Sequence, residues 1–232
     1  MKKYRNILFL LLFTLGIVVF SKKGIEVMKS GNSANVSGKK LVVIDAGHGG
    51  KDPGKVGTNN SLEKDINLSI ALKLKILLEN NDIEVLMVRT EDKGLYSEAD
   101  RNKKSADMRN RVALINDSKA GLAVSIHQNS FEESSSTGAQ VFYHNKSTEA
   151  KKLAEVLQDQ IKTTINDGNH RVAKSNESYY MLKKTECPLV IVECGFLSNQ
   201  KEEALLCDSA YQEKMAWAIH LGILRYLKSH EN

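Results

Sequence analysis

The chain has 232 residues, 41% hydrophobic and 26% charged, which is long enough to bury one sizeable core and sets one main domain as the expectation. Its formal net charge of +5 would suit a polyanionic partner, but the lysines are scattered and no basic stripe with interleaved aromatics occurs, which argues against nucleic acid. Cys187, Cys194 and Cys207 have no CxxC spacing and no histidine pair nearby, so they read as buried thiols or bystanders, with a Cys187 to Cys207 bridge left open.

Taken in chain order, Lys2, Lys3 and Arg5 precede an uncharged run from Ile7 to Phe20, and Lys22 and Lys23 follow it. The run is short for a membrane span of about 20 residues and fits the apolar region of a signal peptide. Val19 and Ser21 match the small-residue cleavage positions poorly, so residues 1–21 are assigned to a signal peptide or an N-terminal membrane anchor. No cysteine follows, which argues against a lipoprotein. The chain is therefore expected to be exported and to meet a membrane only through this segment. Residues 22–38, with Gly31, Ser33, Asn35, Ser37 and Gly38 and no periodicity, form a predicted linker. The folded domain is expected over 39–230.

Within that domain, strands are predicted at Leu41 to Asp45, Ile83 to Arg89, Gly121 to Ile126, Ala139 to Tyr143 and Leu189 to Glu193, all short β-branched or apolar runs. Between them, Ile66, Ile70, Leu74, Leu77 and Leu78 make one helical stripe, and Met108, Val112 and Ile115 make another. Further helices are predicted from Thr148 to about Thr164 and from about Ser209 to Leu227. Alternation of this kind predicts an α/β fold: a single three-layer α/β/α domain whose mixed, mostly parallel twisted sheet is flanked by helices.

Polar clusters interrupt these runs at informative places. Asp45-Ala46-Gly47-His48-Gly49-Gly50 follows the first strand, and ligands bind at the carboxyl ends of strands in such sheets. The glycines there do not form GxGxxG or GxxxxGK[ST], which disfavours a phosphate loop. Ser125-Ile126-His127-Gln128-Asn129-Ser130 places a second histidine at the same edge. Glu63 starts the first helix, where Asn60-Ser61-Leu62-Glu63 also has the form of a capping box. Glu193 follows four apolar strand residues, where a carboxylate is costly to bury unless it has a partner or a task. Two histidines, a helix-start glutamate and a strand-end glutamate together meet the needs of a catalytic zinc site: three protein ligands, an open water position and a separate base.

The strings IDAGHGGKDPG, EKDINLSIALKLK, RVALIND, SIHQNS and VECGFLSN, in this order and spacing, resemble the zinc-dependent N-acetylmuramoyl-L-alanine amidases of the amidase-3 type, and most of all their spore-cortex, germination-specific branch. The resemblance spans residues 41 to 227. It implies that His48, Glu63 and His127 bind one Zn²⁺ and that Glu193 is the catalytic acid/base. The implied substrate is peptidoglycan, cut between N-acetylmuramic acid and the L-alanine of the stem peptide, with an accessory protein as a further possible partner. The alternatives are a zinc carboxypeptidase or other wall peptidase using the same ligands, and a catalytically silent wall-binding protein.

Several further roles follow from position. Asp45, Asn129 and Ser130 lie beside the implied ligands and are candidates to orient them, or are plain turn and cap residues. Arg111 is expected to pair with a carboxylate in the fold. The segment from Asp167 to Tyr180, with Asn169, His170, Arg171, Ser178, Tyr179 and Tyr180, is a candidate lining for the substrate groove. Gln128 is expected at the pocket floor, and His144, His220 and His230 at the surface. No helical plug is evident between Tyr143 and Val190, so self-occlusion is not expected.

Overall fold

A computed structural model of the chain describes residues 41–229, so the predicted signal segment, the predicted linker and His230 lie outside the described residues. Among the described residues six strands and six helices follow one another: β1 (Leu41–Ala46), α1 (Glu63–Glu79), β2 (Glu84–Met87), α2 (Lys103–Ser118), β3 (Leu122–Asn129), β4 (Gln140–Tyr143), α3 (Thr148–Ile165), β5 (Lys174–Ser175), α4 (Tyr180–Lys184), β6 (Leu189–Phe196), α5 (Gln200–Cys207) and α6 (Ser209–Lys228). The strands form one sheet in the order β2-β1-β3-β6-β4-β5. β1 pairs in parallel with β2 and β3, and β3 with β6, while β4 runs antiparallel to β6.

The period of two along each strand decides which layer each side chain joins. Val42, Ile44 and Ala46 of β1 pack with Ile70 and Leu74 of α1, Leu157 of α3 and Ile219 of α6. Val43 turns the other way, toward Val112 and Ile115 of α2 and Met181 and Leu182 of α4. Two apolar clusters on opposite faces make the three layers, and each fully buried Val, Leu or Ile contributes about 1.5–3 kcal/mol.

The same alternation positions the polar residues. Asp45 shares the α2 face with Val43, and its register partner on β3 is Ser125. Two residues further along β3, His127 is the register partner of Glu193 on β6. A histidine and a glutamate opposite one another on parallel strands project to the same face.

Two sequence expectations are corrected here. His220 is not a surface residue: it is 1% exposed, its Nε2 lies 3.0 Å from Asn81 Nδ2, and the Trp217 ring packs beside it. The reason is that α6 packs against both α1 and α3, so its buried arc, from Gln212 through Ala218 and His220 to Tyr226, is wider than one apolar stripe. The capping box at Asn60 to Glu63 does not form either. Leu62 is the N-cap residue of α1 without a side-chain cap, and the Ser61 hydroxyl donates to Glu203 at 2.6 Å. All three cysteines are free, with Cys194 buried and Cys207 exposed, so the Cys187 to Cys207 bridge is absent. His144 is half-buried.

Candidate active site

At the end of β1 the chain must turn sharply. Gly47 N donates to Ile126 O at 3.0 Å, and the next residue, His48, has φ 62°, the left-handed region that a side chain rarely adopts. Such a residue costs of order 1–3 kcal/mol and persists only where its surroundings fix it. Arg111, from the far layer, does so: its Nη2 donates to His48 O at 2.6 Å and its Nη1 to Ala46 O at 2.9 Å. Arg111 is in turn held by Asp45 at 2.6 Å and Asp107 at 2.5 Å. Burial alone would push the Asp45 pKa up, but Arg111 and the Ser125 hydroxyl hold it below the usual carboxylate range. Asp45 thus acts on His48 through Arg111, and Arg111 is a fold residue, as its position in the sequence implied.

The side chains of His48, Glu63 and His127 converge. One ligating atom from each lies within 4.8 Å of the others. Glu63 Oε1 is 3.2 Å from His48 Nε2 and 2.9 Å from His127 Nδ1, and Glu63 itself is 2% exposed. The opposite nitrogen of His48, Nδ1, lies 2.9 Å from Asp52 Oδ2. That hydrogen bond fixes the tautomer that presents Nε2 to Glu63. Backbone N–H groups of Lys55 and Gln128 donate to Glu63 at 2.8 and 3.1 Å. Burial opposes charge on Glu63, yet the hydrogen bonds with His127 and His48 hold its pKa far below normal. Burial likewise opposes charge on His48, and Asp52 and Glu63 outweigh it, raising its pKa to about 9. The site is built to hold positive charge between the two imidazoles.

Two glycines make this convergence possible. A Cβ on Gly47 would overlap the His127 ring, and one on Gly54, at φ +70°, would come 2.5 Å from Glu63 Oε2 and 2.8 Å from His48 Cδ2. Gly47→Ala is therefore expected to displace His127 and abolish turnover while the far-UV circular dichroism stays native. A fully active Gly47→Ala protein would show that the ring has no fixed seat.

Glu193 stands apart from the triad across the same face. It is 7% exposed, and its Oε2 is buried without a hydrogen-bond partner, a state that costs roughly 1–3 kcal/mol. Burial first, and the Glu63 carboxylate after it, raise its pKa to about 7 against the pull of His127 and His48.

All four residues line one cleft of about 490 Å³. Tyr179, Tyr180 and Met181, at the start of α4, form part of its wall, with Asn129 and Ser130 also at its edge. Of the Asp167 to Tyr180 segment, only the two tyrosines reach the cleft. Asn169 and Arg171 instead donate to the carbonyls of Ala139 and Thr137 and tie the loop to β4. Gln128 is among the residues lining the cleft, and its buried side-chain amide donates to Asn67 Oδ1 at 3.1 Å.

Sequence reasoning passed over Asp52, Asn67, Arg89 and Glu203. Asn67 Nδ2 donates to Gly47 O at 3.1 Å, and Glu203 receives N–H bonds from Asn59 that pin the loop leading into α1. Asp52 sits in the motif itself, four residues past His48, and a carboxylate at that separation was a usable signal. Asn67 follows Glu63 by one helical turn, which places both on one face of α1. Arg89 and Glu203 carried no local signal, because, the Arg89 bond to Glu91 O aside, their side-chain bonds cross 25 to 145 positions.

An α/β domain that brings two imidazoles and two carboxylates to one cleft at the carboxyl ends of its strands has the layout of a hydrolase with a candidate metal triad. The family model described as N-acetylmuramoyl-L-alanine amidase matches residues 42–225, and the chain belongs to that family. It is 38% identical to the germination-specific N-acetylmuramoyl-L-alanine amidase of Bacillus subtilis over 190 residues, covering 81% of this chain and 79% of that one. Among solved structures, the amidase CwlD from Clostridioides difficile, determined in complex with the GerS lipoprotein, superposes with a TM-score of 0.80 at 42% identity. The match covers 82% of this chain and all (100%) of that one. An N-acetylmuramoyl-L-alanine amidase from Clostridium difficile 630 matches with a TM-score of 0.74 at 34% identity, over 84% of this chain and 100% of that one. The enzyme is thus an N-acetylmuramoyl-L-alanine amidase, with its sheet and flanking helices in the arrangement of those structures.

Proposed function

We propose that this amidase is zinc-dependent, with His48, Glu63 and His127 as the ligands of one Zn²⁺ and Glu193 as the acid/base, and that it acts outside the cytoplasm on spore-cortex peptidoglycan. One observation carries the reading: three ligand-type atoms within 4.8 Å of one another beside a buried, unpartnered carboxylate in a single cleft. The donor set suits the metal, since neutral imidazoles and a carboxylate are the ligands of catalytic zinc sites. Zinc held there would polarise the scissile carbonyl and bring the pKa of a bound water to about 7.

The chain's own residues do the rest. Asp52 keeps the His48 Nδ1 proton, so that the Nε2 lone pair is free to ligate. Glu193 takes a proton from the attacking water and returns it to the L-alanine nitrogen as the amide C–N bond breaks. A carboxylate with a pKa near the working pH suits both halves of that exchange. The spore-cortex assignment follows the similarity to the germination-specific relative, and the CwlD complex with a lipoprotein supports an accessory partner for this chain as well. Among the described residues no helix is long and apolar enough to cross a membrane; the membrane contact proposed for residues 1–21 rests on the uncharged run from Ile7 to Phe20.

Metal analysis tests the assignment: purified protein should hold one zinc per chain, and a chelator should remove metal and activity together. Full activity in metal-free protein would refute it. The rate should also fall with acidity. A protonated Glu193 has no lone pair free to accept the water's proton. Burial puts its pKa at about 7 and a cation on the neighbouring ligands draws it lower, so the acid limb is expected below neutrality. Initial rates from about pH 8 down to about pH 5 would locate it. A rate unchanged across that range contradicts Glu193 as the base.

A further inference from the structure

Arg89 lies just past β2, is 2% exposed, and spends its guanidinium almost wholly on backbone carbonyls. Its Nε donates to Ala46 O at 2.8 Å and its Nη1 to Glu91 O at 3.1 Å. Its Nη2 donates to two carbonyls from different elements, Gly47 O at 3.0 Å and Lys64 O at 2.7 Å. Gly47 precedes His48, and Lys64 follows Glu63. Among the described residues no carboxylate lies within ion-pair distance of Arg89, so its direct partners are peptide carbonyls.

The structure assigns Arg89 as a positioning residue that sets the spacing between His48 and Glu63, by joining the backbone next to each through one nitrogen. The peptide bearing His48 leaves β1 in a left-handed turn, and Glu63 arrives from the first turn of α1, so no ladder hydrogen bond connects the two. Beside the loop bonds from Glu63 N to Lys55 O at 3.0 Å and from Lys64 N to Pro53 O at 3.1 Å, Arg89 joins the peptide groups next to His48 and Glu63 directly. Asn67 adds a weaker link, from Gly47 O at 3.1 Å to Glu63 Oε1 at 3.3 Å. A planar fork with five donors can reach four carbonyls in two directions, whereas an ammonium on a lysine stem has three donors and no fixed plane. Lysine would keep the charge and most of the packing but lose the bridge.

The inference rests on His48, Glu63 and His127 forming the metal site, and its test separates the two. Arg89→Lys and Arg89→Gln would be compared with the native chain by zinc competition against a chromophoric chelator, by the visible absorption of the cobalt-substituted proteins, and by thermal melting of the metal-free forms. Loss of a partner behind metal ligands typically weakens binding about 10–100-fold. Both variants should show that loss and an altered cobalt spectrum, with kcat falling more than KM rises, although the metal-free proteins melt as one cooperative unit. Variants that bind zinc with native affinity and give the native cobalt spectrum, whatever their melting temperature, overturn the positioning role. Failure of both variants to fold overturns it in favour of a purely structural one. If the native protein takes up neither metal, it is the metal-site reading that fails.

Discussion

Glu193→Gln should give a folded, zinc-loaded protein whose turnover is lower by about 10²–10⁴, the usual weight of a positioned acid/base. The substitution is nearly isosteric, and Glu193 has no ion-pair partner among the described residues to orphan. Its buried Oε2 already lacks a hydrogen bond, so loss of the charge removes a desolvation penalty and the melting temperature should hold or rise. Turnover collapses because an amide nitrogen cannot accept the proton of the attacking water. Zinc content, thermal melting and muropeptide release on one preparation check the three expectations. Native turnover in a zinc-loaded Glu193→Gln protein would remove this residue from the mechanism.

Glu63→Gln should have an effect of another kind. Among the described residues Glu63 is the only carboxylate within ion-pair distance of both His48 and His127, and both imidazoles face the same oxygen, Oε1. Glutamine keeps one carbonyl oxygen, so only one of the N–H groups of Lys55, on Oε2, and Gln128, on Oε1, retains its acceptor, but the backbone bonds from Glu63 N to Lys55 O and from Lys64 N to Pro53 O stay and should hold the loop on α1. The charge that would complement the proposed metal is lost. Apparent affinities of about 10–16 kcal/mol for structural zinc, shared over the four ligands of such a site, assign about 2.5–4 kcal/mol to each, so losing one should lower affinity by roughly 10²–10³-fold. Isothermal titration with zinc reads this directly. The substitution also discriminates between roles, because a capping box accepts glutamine as readily as glutamate. Unchanged zinc affinity and activity would return Glu63 to a purely structural position.

The parts of the molecule that could be seen in the sequence are those governed by local rules. The apolar runs ending at Asp45, Ile126 and Glu193 are true strands, and their common carboxyl edge places His48, His127 and Glu193 together. The stripe Ile66, Ile70, Leu74, Leu77 and Leu78 marks α1, and all of it is buried except the half-buried Leu77. Glu63 was ambiguous for a physical reason: acidic residues favour helix starts whether or not they have chemistry to do. Glu203, far along the chain, accepts from Ser61, and Glu63 turns inward toward His48 and His127.

Helices α4 and α5 escaped because elements of 5 and 8 residues are too short to show a period. A signal for α5 existed in Asn199 and Glu202, spaced as a helix start; Asn199 does accept from Glu202 N at 3.1 Å. The Glu202 side chain serves Gly138 and Phe196 instead. The carbonyl clamp made by Arg89 and Arg111 had no sequence signature at all. Its acceptors are peptide groups, and every residue carries those.

The central claim, a metal-dependent cut at the muramoyl-L-alanine bond, is tested most directly by mass spectrometry of purified spore-cortex peptidoglycan digested with the enzyme in the presence and absence of a chelator. Without chelator, the products should be glycan carrying free muramic lactyl carboxylate and stem peptides with a free L-alanine amino group; with chelator, neither should appear. Release of single residues from the carboxyl end of the stem peptide, with the lactyl amide intact, would contradict the account, as would unchanged cleavage once the metal has been removed.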